Sequence, residues 1–260
     1  MKQAILLFTV SLALAAVAAA QSSEPAKPAA SAAAAPTPSK LPTAAEILNK
    51  YVAAIGGRDA NLKIRSWQMS GTVEFAPMGL KGTFETLSAA PDRSVMHMTI
   101  SGLGSIAQGF DGKTAWSISP LDGMRELSGI ELQQIKSASS FYRLVNLAQN
   151  SEKYTVAGPE KLGDKQAYVV TLPAEAEGLF PTKMYFDTVS GHLLRMDATQ
   201  VGPQGNIPTT TYFDEMKLVD GVYIPVRSRT TFGPAELVTV VTVAKSNVAV
   251  DDAKFAKPKQ

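Results

Sequence analysis

The chain has 260 residues, with 25 Lys and Arg against 23 Asp and Glu, a net charge of +2. Charge this scattered and nearly balanced excludes an electrostatic case for nucleic-acid binding. There is no Cys, which excludes disulfides, thiolate nucleophiles and thiolate metal sites.

The chain opens like an export signal. Lys2 supplies a positive first region, Ala4 to Val17 an apolar run, and Ala18-Ala19-Ala20 a small-residue cleavage site. The apolar run is too short to read as a membrane span. Cleavage is expected near Ala20, and the mature protein is expected in the periplasm. No Cys stands at the cleavage site, so no bacterial lipid anchor is expected on this chain. Residues 21–40 are Ala, Pro and Ser with almost no large apolar side chain. They cannot bury enough surface to offset chain entropy and read as a disordered tether. The folded domain is expected over residues 41–257.

The domain begins with a helix. Thr43 and Glu46 have the spacing of a capping box. Ile47, Leu48, Tyr51, Val52 and Ile55 then fall on one helical stripe, and Gly56-Gly57 ends it. A short second helical turn is expected from Arg58 to Leu62. Strands follow. Trp67 to Phe75 alternates, with Trp67, Met69, Val73 and Phe75 on one face. Leu80 to Ser88 returns with Leu80 and Phe84 on one face. Arg93 to Ile100 places Met96, Met98 and Ile100 together. Ser105 to Phe110 and Lys113 to Ser119 flank Asp111-Gly112 and form a hairpin. The period then lengthens. Ser128 and Glu131 are a second capping-box candidate, and Leu132 to Ala148 suits a helix or a broken helical pair.

Strands resume at Tyr154 to Leu162 and Gln166 to Leu172. Residues 181–231 then read as four antiparallel strands, Lys183 to Asp187, Leu193 to Gln200, Thr209 to Leu218 and Tyr223 to Phe232. Asp220-Gly221 is the sharpest turn signal, because a type I′ turn needs positive φ at both centres. The last strand, Glu236 to Asn247, contains Leu237-Val238-Thr239-Val240-Val241-Thr242-Val243 and is expected to be covered on both faces. A sheet of roughly eleven strands exceeds the ~5–6 of an ordinary sheet and must curl. The expected fold class is mainly β with α: an unclosed antiparallel half-barrel whose N-terminal and mid-chain helices cover the concave face.

Several of these segments carry a further likeness. They are Leu41-Pro42-Thr43-Ala44-Ala45-Glu46-Ile47-Leu48 with Gly56-Gly57, Gly109-Phe110-Asp111-Gly112 with Ala115-Trp116, Tyr185-Phe186-Asp187 with Ser190-Gly191, and Val219-Asp220-Gly221-Val222-Tyr223-Ile224-Pro225. Together they resemble the LolA/LolB-like outer-membrane lipoprotein-sorting superfamily, over Leu41 to Phe255. The resemblance implies an unclosed antiparallel barrel capped by helices, an apolar cavity for acyl chains, and carriage or sensing of a greasy ligand rather than catalysis.

The chemistry of single residues points the same way. His97 and His192 are the only histidines. Neither has a visible nucleophile or ligand set beside it, so no catalytic residue, metal or cofactor is assigned. Asp111 and Asp220 serve turns, and Asp251-Asp252 could cap the last segment. Met69, Met96, Met98, Met184 and Met196 all fall on apolar strand faces, and Met is over-used on promiscuous hydrophobic surfaces. They are the candidate wall of a ligand cavity, completed by Trp67, Phe84, Trp116, Phe186, Leu194 and Tyr212. Ile47, Leu48, Tyr51, Val52 and Ile55 are the candidate lid. The expected partner is lipid or a lipoprotein's acyl chains, with an envelope protein as a further candidate; a monomer is expected. The alternative is an interaction or sensor module whose core is filled by its own side chains. A hydrolase is the least supported reading.

Overall fold

The computed structural model describes residues 41–76, 78–202 and 205–259. The expected signal and tether lie outside these residues. The first helix, α1 (Ala44–Ala54), is capped as its sequence requires: Glu46 N donates to Thr43 Oγ1 at 3.2 Å and Thr43 N donates to Glu46 Oε2 at 2.7 Å. A second helix, α2 (Arg58–Lys63), follows. Among the described residues thirteen strands then form one antiparallel sheet, one more than the twelve segments read as strands in the sequence. They are β1 (Ser66–Ala76), β2 (Leu80–Ala89), β3 (Arg93–Ile100), β4 (Gly104–Phe110), β5 (Ala115–Ser119), β6 (Gly123–Leu127), β7 (Thr155–Leu162), β8 (Lys165–Leu172), β9 (Thr182–Asp187), β10 (Leu193–Gly202), β11 (Gly205–Val219), β12 (Val222–Phe232) and β13 (Ala235–Ser246). The strand left out of the sequence reading is β6, short and charged at Arg125 and Glu126. Its signal is Asp122-Gly123, a hairpin pair of the kind that marks the other turns.

The sheet is two meanders joined at a seam. The first and last strands pair with one another, from Trp67 opposite Ser246 to Ala76 opposite Glu236. One wing runs from β1 out to β6, the other from β13 back to β7, and β6 and β7 are the two free edges. These edges are neighbours in sequence yet lie at opposite ends of the sheet. The chain between them must therefore cross the open side. It does so as α3 (Gly129–Ser139) and a 3₁₀ helix (Leu144–Lys153), broken at Ser140 as the sequence allows. The result is an open half-barrel with helices over its concave face. The candidate capping box at Ser128 does not form: Ser128 makes no side-chain cap, and Glu131 instead pairs bidentately with Arg125 at 2.7 and 2.8 Å.

The concave face is packed. The α1 stripe of Ile47, Leu48, Tyr51, Val52 and Ile55 buries against the 3₁₀ helix and against Val170, Met184, Phe186, Leu193, Met196 and Phe213 of the second wing. At the seam, Phe141 and Tyr142 plunge between Ile64, Trp67, Val222 and Ile224. The Tyr142 hydroxyl donates to Ile64 O at 3.0 Å. Farther along, Val73, Phe75, Phe84, Met96, Met98, Ile100 and Leu237 form a third cluster. The outer face is covered in one place only among the described residues. There the C-terminal segment lays Phe255, fully buried, on Leu87, Ala89, Val95, Ala107 and Trp116. The expected two-sided cover of β13 is not found. Its outward Val238 and Val240 are half-buried and Val243 is 45 % exposed, because the C-terminal segment crosses only the first wing.

Candidate functional site at the mouth of the half-barrel

The predicted wall residues fall into two sets. Trp67, Met69, Phe84, Met96, Met98, Met184, Phe186 and Met196 are on the concave side, within the three clusters above. Trp116, Leu194 and Tyr212 are on the outer face, each for a local reason. Leu194 is displaced by a bulge between Leu193 and Arg195, which turns Leu193 inward beside Met196 and leaves Leu194 against Ala167, Val169 and Tyr185. Tyr212 alternates with the inward Thr211 and Phe213, and lies between Arg195 and Arg229, whose guanidinium carbons stand 5.6 and 5.1 Å from its ring. Trp116 donates its indole N–H to Phe255 O at 2.8 Å. Its cross-strand partner is Gly109, where a Cβ would come within 2.5 Å of the indole.

The predicted lid residues are all buried, and α1 packs against the concave face. Its C-terminal end is pinned by three contacts. Lys50 Nζ donates to Thr188 O at 2.8 Å, His192 Nε2 lies 3.2 Å from Ala54 O, and Tyr223 N donates to Ile55 O at 3.1 Å.

Two open spaces lie where the mouth-crossing segment meets the second wing. A cleft of about 520 Å³ runs between α3, the 3₁₀ helix and the β8–β9 loop, residues 173–181. Beside it is a smaller pocket of about 100 Å³, which shares Ser137, Arg143, Pro173, Glu175 and Leu179 with the cleft. The buried lining residues are Leu147, Leu172 and Asn146 in the cleft and Leu144, Met196 and Gln200 in the pocket, and the rest of the cleft lining is mostly polar. Leu179 and Phe180 come from the loop, and Phe180 is 41 % exposed. Met196 is the one predicted wall residue that lines either space.

Polar groups hold this site in shape. Gln134 of α3 reaches the stretch of β10 that continues past the end of β9. Its Nε2 donates to Thr199 O at 2.9 Å, and its Oε1 accepts from Val201 N at 3.1 Å. On its other side α3 buries Ile135 against Phe110, Ala115 and Leu127. One helix thus ties both wings together. The β8–β9 loop is latched by Glu175, which accepts from Arg143 Nε at 3.1 Å and Nη2 at 3.0 Å and from Ser137 Oγ. Lys136, Arg143 and Lys153 line the cleft, and Glu175 is its one carboxylate. Burial holds the Tyr154 phenol above its ordinary range, against the pull of Arg143. No sequence motif marks these residues. Their common signal is position: all lie in the segment between the two edge strands or in the loop facing it.

No protein-family model matches the sequence, and no curated protein matches it. Solved structures do share its architecture. A LolA superfamily protein from Nitrosomonas europaea is 15 % identical with a TM-score of 0.55, over 84 % of this chain and 99 % of that one. A DUF1329 family protein from Desulfovibrio piger is 15 % identical with a TM-score of 0.52, over 81 % and 96 %. A domain from Vibrio parahaemolyticus, described as an outer membrane lipoprotein-sorting protein, is 13 % identical with a TM-score of 0.50, over 82 % and 96 %. Identity this low speaks for fold and not for activity, and the fold of this chain is similar to that of these three proteins.

Proposed function

We propose that the protein is an extracytoplasmic, non-enzymatic binder of a hydrophobic ligand, which it holds in the mouth cleft. The observation that carries this reading is the cleft itself, in which the buried Leu147 and Leu172 and the half-buried Leu179 stand within a mostly polar lining. Its volume of about 520 Å³ lies within the ~300–1,000 Å³ typical of small-molecule sites. An acyl chain would lie on Leu147 and Leu172 beneath Leu179, and extend past Leu144 to Met196. Burial would drive binding at ~0.8 kcal/mol per CH₂ before ordering costs. The periplasmic address rests on the export signal read in the sequence. The likeness of fold to a domain described as lipoprotein-sorting supports the reading at the level of class. Catalysis has little to work with here, since the single carboxylate of the cleft is engaged by Arg143.

Titration with a pyrene-labelled fatty acid tests the proposal. Wild type is expected to saturate at one equivalent, and Leu179→Glu, in the exposed loop, to lose uptake with its fold intact. Equal uptake by both proteins would remove the ligand from the cleft. The packed concave face favours a second reading, an interaction module with a self-filled core. That reading takes over if wild type binds no amphiphile.

A further inference from the structure

The rim of the cleft is asymmetric in charge. Lys136, Arg143 and Lys153 face a single carboxylate, Glu175. Lys136 and Lys153 are exposed and make no ion pair among the described residues. Glu175 occupies the Arg143 guanidinium fork and takes the Ser137 hydroxyl as well. A carboxylate seated on two guanidinium N–H groups and a hydroxyl marks where an oxyanion fits. Guanidinium forks are matched in geometry to carboxylate and phosphate alike. Apolar side chains start next to it, because Arg143, Ser137 and Glu175 line both the cleft and the pocket that holds Leu144 and Met196.

We infer that the cleft selects amphiphiles with an anionic head, phosphate or carboxylate. The head binds among Arg143, Lys136 and Lys153 in place of the Glu175 carboxylate, while the chain enters the apolar part. This rests on the hydrophobic-ligand reading and adds the class of head group to it. Glu175 then has two roles: it latches the β8–β9 loop onto α3 in the empty protein, and it competes with the incoming head. Removing the lysines and removing Glu175 should therefore act in opposite directions on anionic ligands, and leave neutral ones unmoved.

The test is calorimetric titration of the full chain with three monomeric amphiphiles of one chain length: dodecyl phosphate, dodecyl maltoside and dodecyltrimethylammonium. Dodecyl phosphate is expected to bind about tenfold or more tighter than the maltoside, with a preference that shrinks as salt is raised. Lys136→Gln with Lys153→Gln, both at exposed positions, is expected to weaken dodecyl phosphate by about fivefold and leave the maltoside unchanged. Glu175→Gln is expected to tighten dodecyl phosphate alone. Equal affinity for phosphate and maltoside heads would overturn the head-group inference and leave chain binding standing. Tighter binding of the cationic amphiphile would overturn it too. Inorganic phosphate binding as tightly as dodecyl phosphate would make the rim a free-anion site and also overturn it. Failure of all three amphiphiles would instead remove the hydrophobic-ligand reading beneath it.

Discussion

Tyr51 shows how a residue can be placed for bulk and pay in polarity. Its ring lies 5.2 Å from Phe186 in the core under α1, and its hydroxyl is fully buried without a hydrogen-bond partner in the structure. A buried unpaired hydroxyl costs about 1–3 kcal/mol, so Tyr51→Phe is expected to leave stability unchanged or raise it by about 1 kcal/mol, read as a denaturation midpoint. The pH dependence follows from the same burial, which holds the phenol well above its ordinary value. Folding keeps the proton that the unfolded chain releases near pH ~10. Stability is thus full below that pH and falls as pH rises beyond it. Tyr51→Phe should flatten this alkaline loss but not abolish it, because Tyr185 is also pushed up to about 12 by burial and by its hydrogen bond to Asp197. Met98 makes a different point. Its inward face was legible in the alternation of β3, and it is 4 % exposed among Phe75, Phe84 and Ile100. Met98→Glu is expected to unfold the domain, seen as lost circular dichroism, since an unpaired charge there has no partner. A folded variant would mean that the third cluster is hollow enough to admit solvent.

At the scale of elements, regular patterns were legible and interruptions were not. The α1 stripe, its capping box and the Asp220-Gly221 turn follow from spacing alone; Asp220 and Gly221 take φ values of 49° and 82° between the paired Val219 and Val222. Leu194 was read onto the wrong face because a bulge shifts parity without leaving a residue-type signature. Trp116 was misread because its cover, Phe255, comes from 139 residues along the chain. That contact also yields a prediction. Phe255 is fully buried and Arg93 sits 5.3 Å from its ring. Phe255→Ala is expected to cost about 3 kcal/mol and to shift the emission of Trp116 to the red. No shift would mean that the C-terminal segment leaves the outer face in solution.

For the molecule as a whole, the half-barrel was legible because a long antiparallel run must curl. Its seam was not, since no local signal tells that β1 pairs with β13. That seam decides where the site is. It sends β6 and β7 to opposite edges, so the chain between them must bridge the mouth, and the bridge creates the cleft. A sequence reading that looks for an apolar wall finds the packed interior instead. Leu144, Leu147, Leu172 and Leu179 line the two open spaces, and of the five methionines expected in a cavity wall Met196 joins them.

The central claim is that this cleft holds an amphiphile. The most direct measurement is native mass spectrometry of the protein isolated gently from its own envelope, before and after organic extraction. A stoichiometric added mass that disappears on extraction, and that Leu179→Glu fails to retain, is the expected result. A clean apo mass, with no uptake when lipid is supplied, would contradict it.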